Sequence, residues 1–418
     1  MKSKNRKTLI RNVTCPNCWN RFSPERIKFI ARHPDLIGDS IAGSNEFLRF
    51  EPMRFNVNGD AIDAKGIPTA QMACPRCHLE ICSALLELSP VFISLIGAPG
   101  AGKSYFLTSL AWQMRNILPK LNLTFTDADP VANSVIHDHE HTLFMANKAD
   151  VPVEIPKTQP DDPRLYRIIM EDDVAVRRPR PLQFAMQLNA SHRNYDKNTE
   201  QGRVLVMYDN AGEDYLPQSS SVSSEAITHI VKSNMLFMLF DPTQDVRFKQ
   251  YFKQQEIENS GLSRQETILR NIIVQLRRHL GLSEKDRIKT PLIIIIPKFD
   301  TFLGDNPFID KDPFVSDADG NIAIDNKTVD HYSQKLRELF VEICPELVNS
   351  AEQLTESVRF IPVSSLGNAP ELTQTGNRHY YGIKPGNIHP KWVTVPILYA
   401  LSQWSSGIVA SIKDQQVQ

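Results

Sequence analysis

Gly97-Ala98-Pro99-Gly100-Ala101-Gly102-Lys103-Ser104 fits the pattern GxxxxGK(S/T), whose residues share one task, the holding of phosphate. Glycines let successive backbone amides turn inward around the anion without side-chain clashes. The helix expected to follow aims its N-terminal dipole at the same charge. Lys103 would neutralise the β- and γ-phosphates, the Ser104 hydroxyl would bind Mg²⁺, and Tyr105 belongs to the same cradle. The alternative is a chance Gly-rich turn. Against it stand the apolar run Val91–Ile96 before the loop and the helical stretch Lys103–Leu118 after it. The loop alone does not separate ATP from GTP.

A second site is suggested at the end of Arg203–Tyr208 (RVLVMY), a buried-strand pattern that runs into Asp209-Asn210-Ala211-Gly212-Glu213. This places DxxG at a strand end. Asp209 can hold Mg²⁺, and the Gly212 amide can bond a γ-phosphate. Hydrolysis would break that bond and release the loop that follows. Many ATPases put a catalytic Glu directly after the strand-end Asp, whereas this chain has Asn210 there.

Two further strand ends carry groups suited to a base. Leu292–Ile296 leads into Pro297-Lys298-Phe299-Asp300, which resembles the (N/T)KxD guanine motif. A carboxylate at Asp300 accepts from guanine N1–H and the exocyclic amine. Adenine lacks that donor pair and would leave the carboxylate poorly paired. The Lys298 stem can lie along the base. Phe360–Val363 leads into Ser364-Ser365-Leu366-Gly367, similar to the SAK-type turn whose backbone contacts the guanine oxygen. Independent chance matches would rarely fall in this order, each at a strand end.

The cysteines carry different chemistry. Of six, four form two matched pairs, Cys15-Pro16-Asn17-Cys18 and Cys74-Pro75-Arg76-Cys77. Two intervening residues let both thiolates of a pair converge on one tetrahedral Zn²⁺ at about 2.3 Å. Four thiolates leave no open position, so the metal would be structural. Redox CxxC pairs and plain buried cysteines are the rival readings. His78 and Cys82 are spare groups able to substitute. The gap between the pairs exceeds usual zinc-ribbon spacing, which implies a subdomain inserted at about residues 20–70. Cys344, on a helical pattern, reads as core.

Taken together, residues of about 91–413 resemble a Ras-like GTPase domain of the TRAFAC class with large insertions. The joined cysteine module is similar to that of bacterial Double-GTPase-type proteins associated with biological conflict systems. The resemblance implies GTP hydrolysed to GDP in a Mg²⁺-dependent switch. It puts Glu213 where Ras-like proteins carry a water-positioning Gln, and it calls for a Thr that closes over Mg²⁺. Thr158 is the candidate, with Thr142 and the pair Thr124 and Thr126 as rivals. Pro297 departs from the pattern, in which Asn or Thr ties the base-reading loops together. Two other functions stay open: a non-hydrolysing, nucleotide-dependent interaction module, and an ATPase. A protein partner or effector would meet the switch loops or the zinc module.

The elements that must position these groups are legible as alternation. Apolar runs at 91–96, 203–208, 235–240, 292–296 and 358–361 read as strands, with Leu182–Leu188 as another. Helices are expected at Gln265–Leu280, with Ser263 and Glu266 at capping-box spacing and Gly281 as C-cap, at about 329–343 and at about 395–412. The expected fold is α/β: a three-layer, doubly wound, mostly parallel sheet of the P-loop NTPase type. It carries a small zinc-ribbon-like module at 1–90, a nucleotide domain at 91–418, and insertions at about 119–200 and 301–327.

A net charge of −1 gives no signal for nucleic acid. No apolar run reaches the roughly 20 residues of a membrane helix, and no secretory leader is visible, so a cytoplasmic location is expected. Four other features read as bland. These are the basic tail from Lys2 to Arg11, the run His137-Asp138-His139-Glu140-His141, the arginines at 177, 178 and 180, and the Asp-Gly turn at 317–321.

Overall fold

The computed structural model describes residues 9–156, 164–171, 174–192, 194–195, 202–209, 224–251, 264–301, 312–316, 322–375, 378–405 and 407–410. Its centre is a seven-stranded sheet. In chain order the strands are β1 (Ser89–Gly97), β2 (Leu123–Asp127), β3 (Leu182–Leu188), β4 (Arg203–Asp209), β5 (Met235–Leu239), β6 (Leu292–Ile296) and β7 (Val358–Pro362). In space they run β2-β3-β4-β1-β5-β6-β7. The five from β4 to β7 are parallel, and β3 and β2 add an antiparallel edge. Parallel strands buried on both faces need continuous apolar runs. Leu292–Ile296 (LIIII) and Met235–Leu239 (MLFML) are buried at every position.

The helices are α1 (Lys103–Ile117), α2 (Ser134–Phe144), α3 (Ser224–Lys232), α4 (Gln265–Leu280), α5 (Asn326–Ile343), α6 (Pro345–Leu354) and α7 (Val395–Trp404). In α1, Phe106, Leu107, Leu110 and Met114 fall on one buried stripe. In α4, Ile268, Leu269, Ile272, Ile273 and Leu276 do the same, and Gly281 at φ +66° closes the helix. Leu280 lies off that stripe, 42% exposed. Arg264 occupies the N-cap of α4, and Ser263 lies outside the described residues. The α5 helix begins three residues earlier than its apolar period suggests. Asp325 caps it there, accepting from the amides of Lys327 and Thr328. The α7 helix ends at Trp404 rather than continuing to 412, and Gly407 follows at φ +87°.

Residues 119–200, which read as an insertion, supply β2 and β3. Leu182–Leu188 reads as a strand in the sequence, whereas the half-exposed Leu123–Asp127 does not. The strand β3 is buried at all but one position, Gln183 included.

Between and just after the two cysteine pairs the chain makes short antiparallel pieces. Glu80–Ile81, Met72–Ala73, Lys28–Ile30 and Arg49–Phe50 form a four-stranded sheet in that order. Ile37–Asp39 pairs with Gly43–Phe47, and Ala61–Ile62 pairs with Pro68–Thr69. This module has no separate core. Phe22, Phe29, Ile81, Leu85 and the four cysteines pack in one cluster with Phe92, Ala185, Val204, Val206 and Tyr208 of the central sheet. Alternation along β4 explains the division. Val204, Val206 and Tyr208 face the module, while Leu205 and Met207 face the helical core. Among the described residues no helix is long and apolar enough to cross a membrane.

At the far end of the helical core, Phe340 of α5 meets Phe240 at 5.3 Å, Phe248 at 5.1 Å and Phe360 at 5.6 Å. It is 1% exposed. Phe340→Ala therefore removes a ring from a site that three rigid rings keep from collapsing. Urea unfolding should show a loss of about 3–5 kcal/mol.

Candidate functional site

Parallel register decides which loops meet. Leu95 is level with Asp209, Gly97 with Leu239, and Ile296 with Pro362. The carboxyl ends of β1, β4, β5, β6 and β7 therefore share one edge of the sheet, where ligands of open α/β sheets bind.

The loop from Gly97 to Ser104 crosses from β1 to α1 in a space sized for glycine. A Cβ on Gly97 would lie 3.1 Å from the Leu239 carbonyl. Gly100 and Gly102 adopt φ of +73° and +87°, and Gly102 is the N-cap of α1. The Ala101 amide donates to Ala98 O (3.2 Å), and the Phe106 amide to Gly102 O (2.9 Å). Lys103 Nζ donates to Gly97 O (3.0 Å) and Ala98 O (3.4 Å), so the ammonium sits across the mouth of the loop. The Tyr105 ring turns away from it. Its hydroxyl accepts from the Ile155 amide at 3.3 Å, and it packs beside Leu143, Ile155, Leu366 and Ile383.

Asp209 ends β4. One carboxylate oxygen, Oδ1, is buried with no hydrogen-bond partner among the described residues. Burial raises the Asp209 pKa, and the Lys103 charge opposes that rise. A buried carboxylate oxygen with an unused acceptor, within reach of the Lys103 charge, fits a hard oxygen-liganded cation such as Mg²⁺. Thr158, Gly212 and Glu213 lie outside the described residues. Two rival threonines are engaged elsewhere: Thr142 donates to Asp138 O within α2, and Thr124 to Gln187 O at the sheet edge.

The two base-loop segments are stitched to each other. The Pro297 carbonyl accepts from the Ser365 amide (3.1 Å) and hydroxyl (3.3 Å). The Phe299 amide donates to Val363 O, and Ser364 Oγ donates to Asp300 Oδ1 at 2.5 Å. The same Ser364 oxygen accepts from the Gly367 amide. Asp300 is only partly exposed. Burial raises its pKa, while the Ser364 hydrogen bond, its own amide and the charges of Lys298 and Lys391 lower it.

The Lys298 ammonium is not free to roam the cleft. It donates to Asp241 Oδ2 at 2.6 Å. Asp241 is fully buried at the end of β5, and Gln265 brackets its backbone amide and carbonyl. Three residues on, Gln244 donates to Pro99 O at 3.1 Å. A Cβ on Gly102 would in turn sit 3.9 Å from Pro297. The segment Asp241–Gln244 therefore touches both the Gly97–Ser104 loop and the Pro297–Asp300 turn. None of the sequence motifs includes it, although an Asp directly after an apolar strand is the signal that marks Asp209.

The cysteine pairs form a second site. Sγ of Cys15 lies 3.8 Å from Sγ of Cys77, and Cys18 lies 3.7 Å from Cys74. All four sulfurs lie within 4.8 Å of one another. A zinc tetrahedron with 2.3 Å bonds has edges of about 3.8 Å. The two pairs repeat one geometry. In each, the amide two residues on points at the first sulfur (Asn17 N to Cys15, Arg76 N to Cys74, both 3.4 Å), and the residue after the second cysteine is left-handed (Trp19 φ 54°, His78 φ 59°). This donor set fits Zn²⁺ as a closed site. His78 is taken up by Asp39 (2.7 Å) and Lys28 (2.9 Å), and Cys82 points at Gln183, so neither supplements it.

Asp245, Glu266 and Cys344 also converge, but there the Arg247 guanidinium bonds both carboxylates. Among the described residues, the run from His137 to His141 forms no cluster of this kind. His137 pairs with Asp127, and His139 is buried beside Thr108.

No family model and no curated protein matches the chain. Among solved structures, it aligns with Sup35 complexed with GDP at 12% identity and a TM-score of 0.24, covering 66% of this chain and 38% of that one. An Aquifex aeolicus Era variant bound to GDP and AlF₄⁻ gives 11%, 0.24, 66% and 52%. The signal recognition particle receptor SRb–GTP/SRX complex from Chaetomium thermophilum gives 11%, 0.27, 68% and 94%. The chain thus spans less than two thirds of the first two.

Gly367 offers a local test of the stitched base loops. Its φ is +84°, and a Cβ there would lie 2.2 Å from the His389 carbonyl. Gly367→Ala must move backbone against backbone. A stability loss above about 2 kcal/mol in thermal or urea unfolding is expected.

Proposed function

We propose that the chain binds GTP with Mg²⁺ at the carboxyl edge of the central sheet and hydrolyses it to GDP as a molecular switch. One observation carries the reading: the phosphate loop, Asp209, the Pro297–Asp300 turn and the Ser364–Leu366 turn, far apart in sequence, are brought to one edge, and Asp241–Gln244 braces the first against the third. Amides of 98–104 and Lys103 hold the phosphates. Ser104 and Asp209 hold Mg²⁺, which supplies positive charge to the phosphate oxygens when bound. Asp300 accepts from guanine N1–H and N2, with Ser364 fixing its carboxylate. The Ser364–Leu366 turn would border the base, its Ser365 amide bonded to the Pro297 carbonyl. Glu213 would orient water, Thr158 would close over Mg²⁺, and the Gly212 amide would bond the γ-phosphate. Residues 1–90 form a zinc module on the flank of the nucleotide domain at 91–418, held by Cys15, Cys18, Cys74 and Cys77. The cytoplasmic location, a protein effector and the resemblance to conflict-system GTPases belong to the same reading.

Calorimetry and phosphate release with GTP and ATP, each with and without Mg²⁺, test it directly. GTP should bind and turn over only with Mg²⁺, and a preference for ATP would refute the base-reading argument. Binding without turnover would favour the interaction module. Asp300→Asn should weaken GTP about 10–100-fold, the worth of hydrogen bonds to a charged group, and improve xanthosine nucleotides. Metal analysis should find one zinc per chain. Cys74→Ser should lose it and lower the unfolding temperature, because binding energy at such a site is folding energy.

A further inference from the structure

The first cysteine pair touches the nucleotide edge through one side chain. Tyr208 is the residue before Asp209 and is 1% exposed. Its hydroxyl donates at 2.6 Å to the carbonyl of Pro16, which lies between Cys15 and Cys18. Its ring stacks on His229 of α3 at 4.3 Å and on Phe92 of β1 at 6.3 Å. Trp19, whose left-handed backbone follows Cys18, closes the group at 5.8 Å from Tyr208 and 4.7 Å from His229. Strand alternation sends Tyr208 to the cysteine face and Asp209 to the Lys103 face, so one peptide unit separates the two environments.

We propose that Tyr208 is a positioning residue that couples the cysteine site to Asp209, so that zinc binding and Mg²⁺–nucleotide binding strengthen each other. The coupling is mechanical. A chelated tetrahedron fixes the turn at 15–18 and with it the Pro16 carbonyl. That carbonyl and the indole of Trp19 fix the Tyr208 ring in a packed core with no room to rotate. The end of β4 is then fixed, and the Asp209 carboxylate enters the cleft from a defined backbone. Without metal the turn at 15–18 loses its tether, and the Tyr208 hydroxyl loses a defined acceptor. Coupling between two ligands is reciprocal, so each changes the other's affinity by the same factor.

The proposal rests on the GTP reading and on zinc at the four cysteines, and its test separates the three. Zinc affinity of the full chain is measured by competition with a chromogenic chelator, alone and with saturating Mg²⁺–GDP or a Mg²⁺–GTP analogue. The expected result is zinc bound at least about fivefold tighter with nucleotide, and nucleotide bound tighter by the same factor when zinc is present. Tyr208→Phe keeps the ring and removes only the hydroxyl. It should retain one zinc while the coupling falls to within about twofold. Trp19→Phe, as a second variant, should reduce the coupling without touching the Pro16 hydrogen bond. Equal zinc affinity with and without bound nucleotide overturns the proposal while leaving the GTP reading intact. Undiminished coupling in Tyr208→Phe overturns the role of the hydroxyl. Absence of nucleotide binding by calorimetry overturns the GTP reading and the coupling with it.

Discussion

Parallel strand register is the constraint on which the rest of the molecule depends. Each pairing from β4 through β1 and β5 to β6 and β7 sets the height at which a chain segment leaves the sheet. Gly97 and Leu239 sit side by side, which is why a side chain is excluded at 97 and why the loop can begin there. Asp209 pairs with Leu95, two residues before the loop, and its carboxylate feels the Lys103 charge. A slip of one residue would reverse the faces of β4. Tyr208 would enter the cleft, and Asp209 would be driven into the apolar cysteine face.

That apolar face is the second constraint. A buried sheet needs cover on both sides, and over β3, β4 and β1 the cover on one side is the cysteine module. Short two- and three-residue strands cannot bury enough surface to stand alone. The module solves this by sharing a core with the sheet and by bringing four thiols within 4.8 Å of one another. His229 shows how dry the junction is: burial first, and then the Arg178 charge, hold its pKa at about 3. A ring that stays neutral down to that pH behaves there as an aromatic packing group, stacked on Tyr208 and Trp19.

Much of this was legible in the sequence, for reasons that differ by element. Strands β5 and β6 could be read because burial on both faces leaves no polar residue to confuse the period. The apolar stripe of α4 was equally plain. The phosphate loop and the cysteine pairs were legible because each motif contains its own spacing requirement. The strand β2 was not, since Leu123–Asp127 (LTFTD) is a half-exposed edge strand with two threonines and an acid. Nor was the end of α7, where the apolar pattern continues past the point at which the backbone turns. Asp241 was hidden for another reason. Its importance comes from Lys298, 57 residues away, and no local pattern encodes that meeting.

The same pair bears on the one irregular residue of the base-reading turn. An Asn or Thr at position 297 would offer a side chain to tie the loops, and proline cannot. The ties are instead made by backbone and by neighbours: the Pro297 carbonyl receives Ser365 twice, and Lys298 is anchored on Asp241. Removing one member of a buried ion pair is far more damaging than the pair is stabilising, because the remaining charge is left without water or partner. Asp241 is wholly buried while Lys298 remains partly exposed, so the penalty falls on the aspartate. That asymmetry makes Lys298 a structural fastening for the turn more than a mobile contact to a ligand. In the proposed reading the selective hydrogen bonding would fall to Asp300, whose carboxylate is already oriented by Ser364. Rigidity that a side chain at 297 would have supplied is therefore distributed over Asp241, Ser364 and Ser365, and a proline is compatible with a base-reading turn.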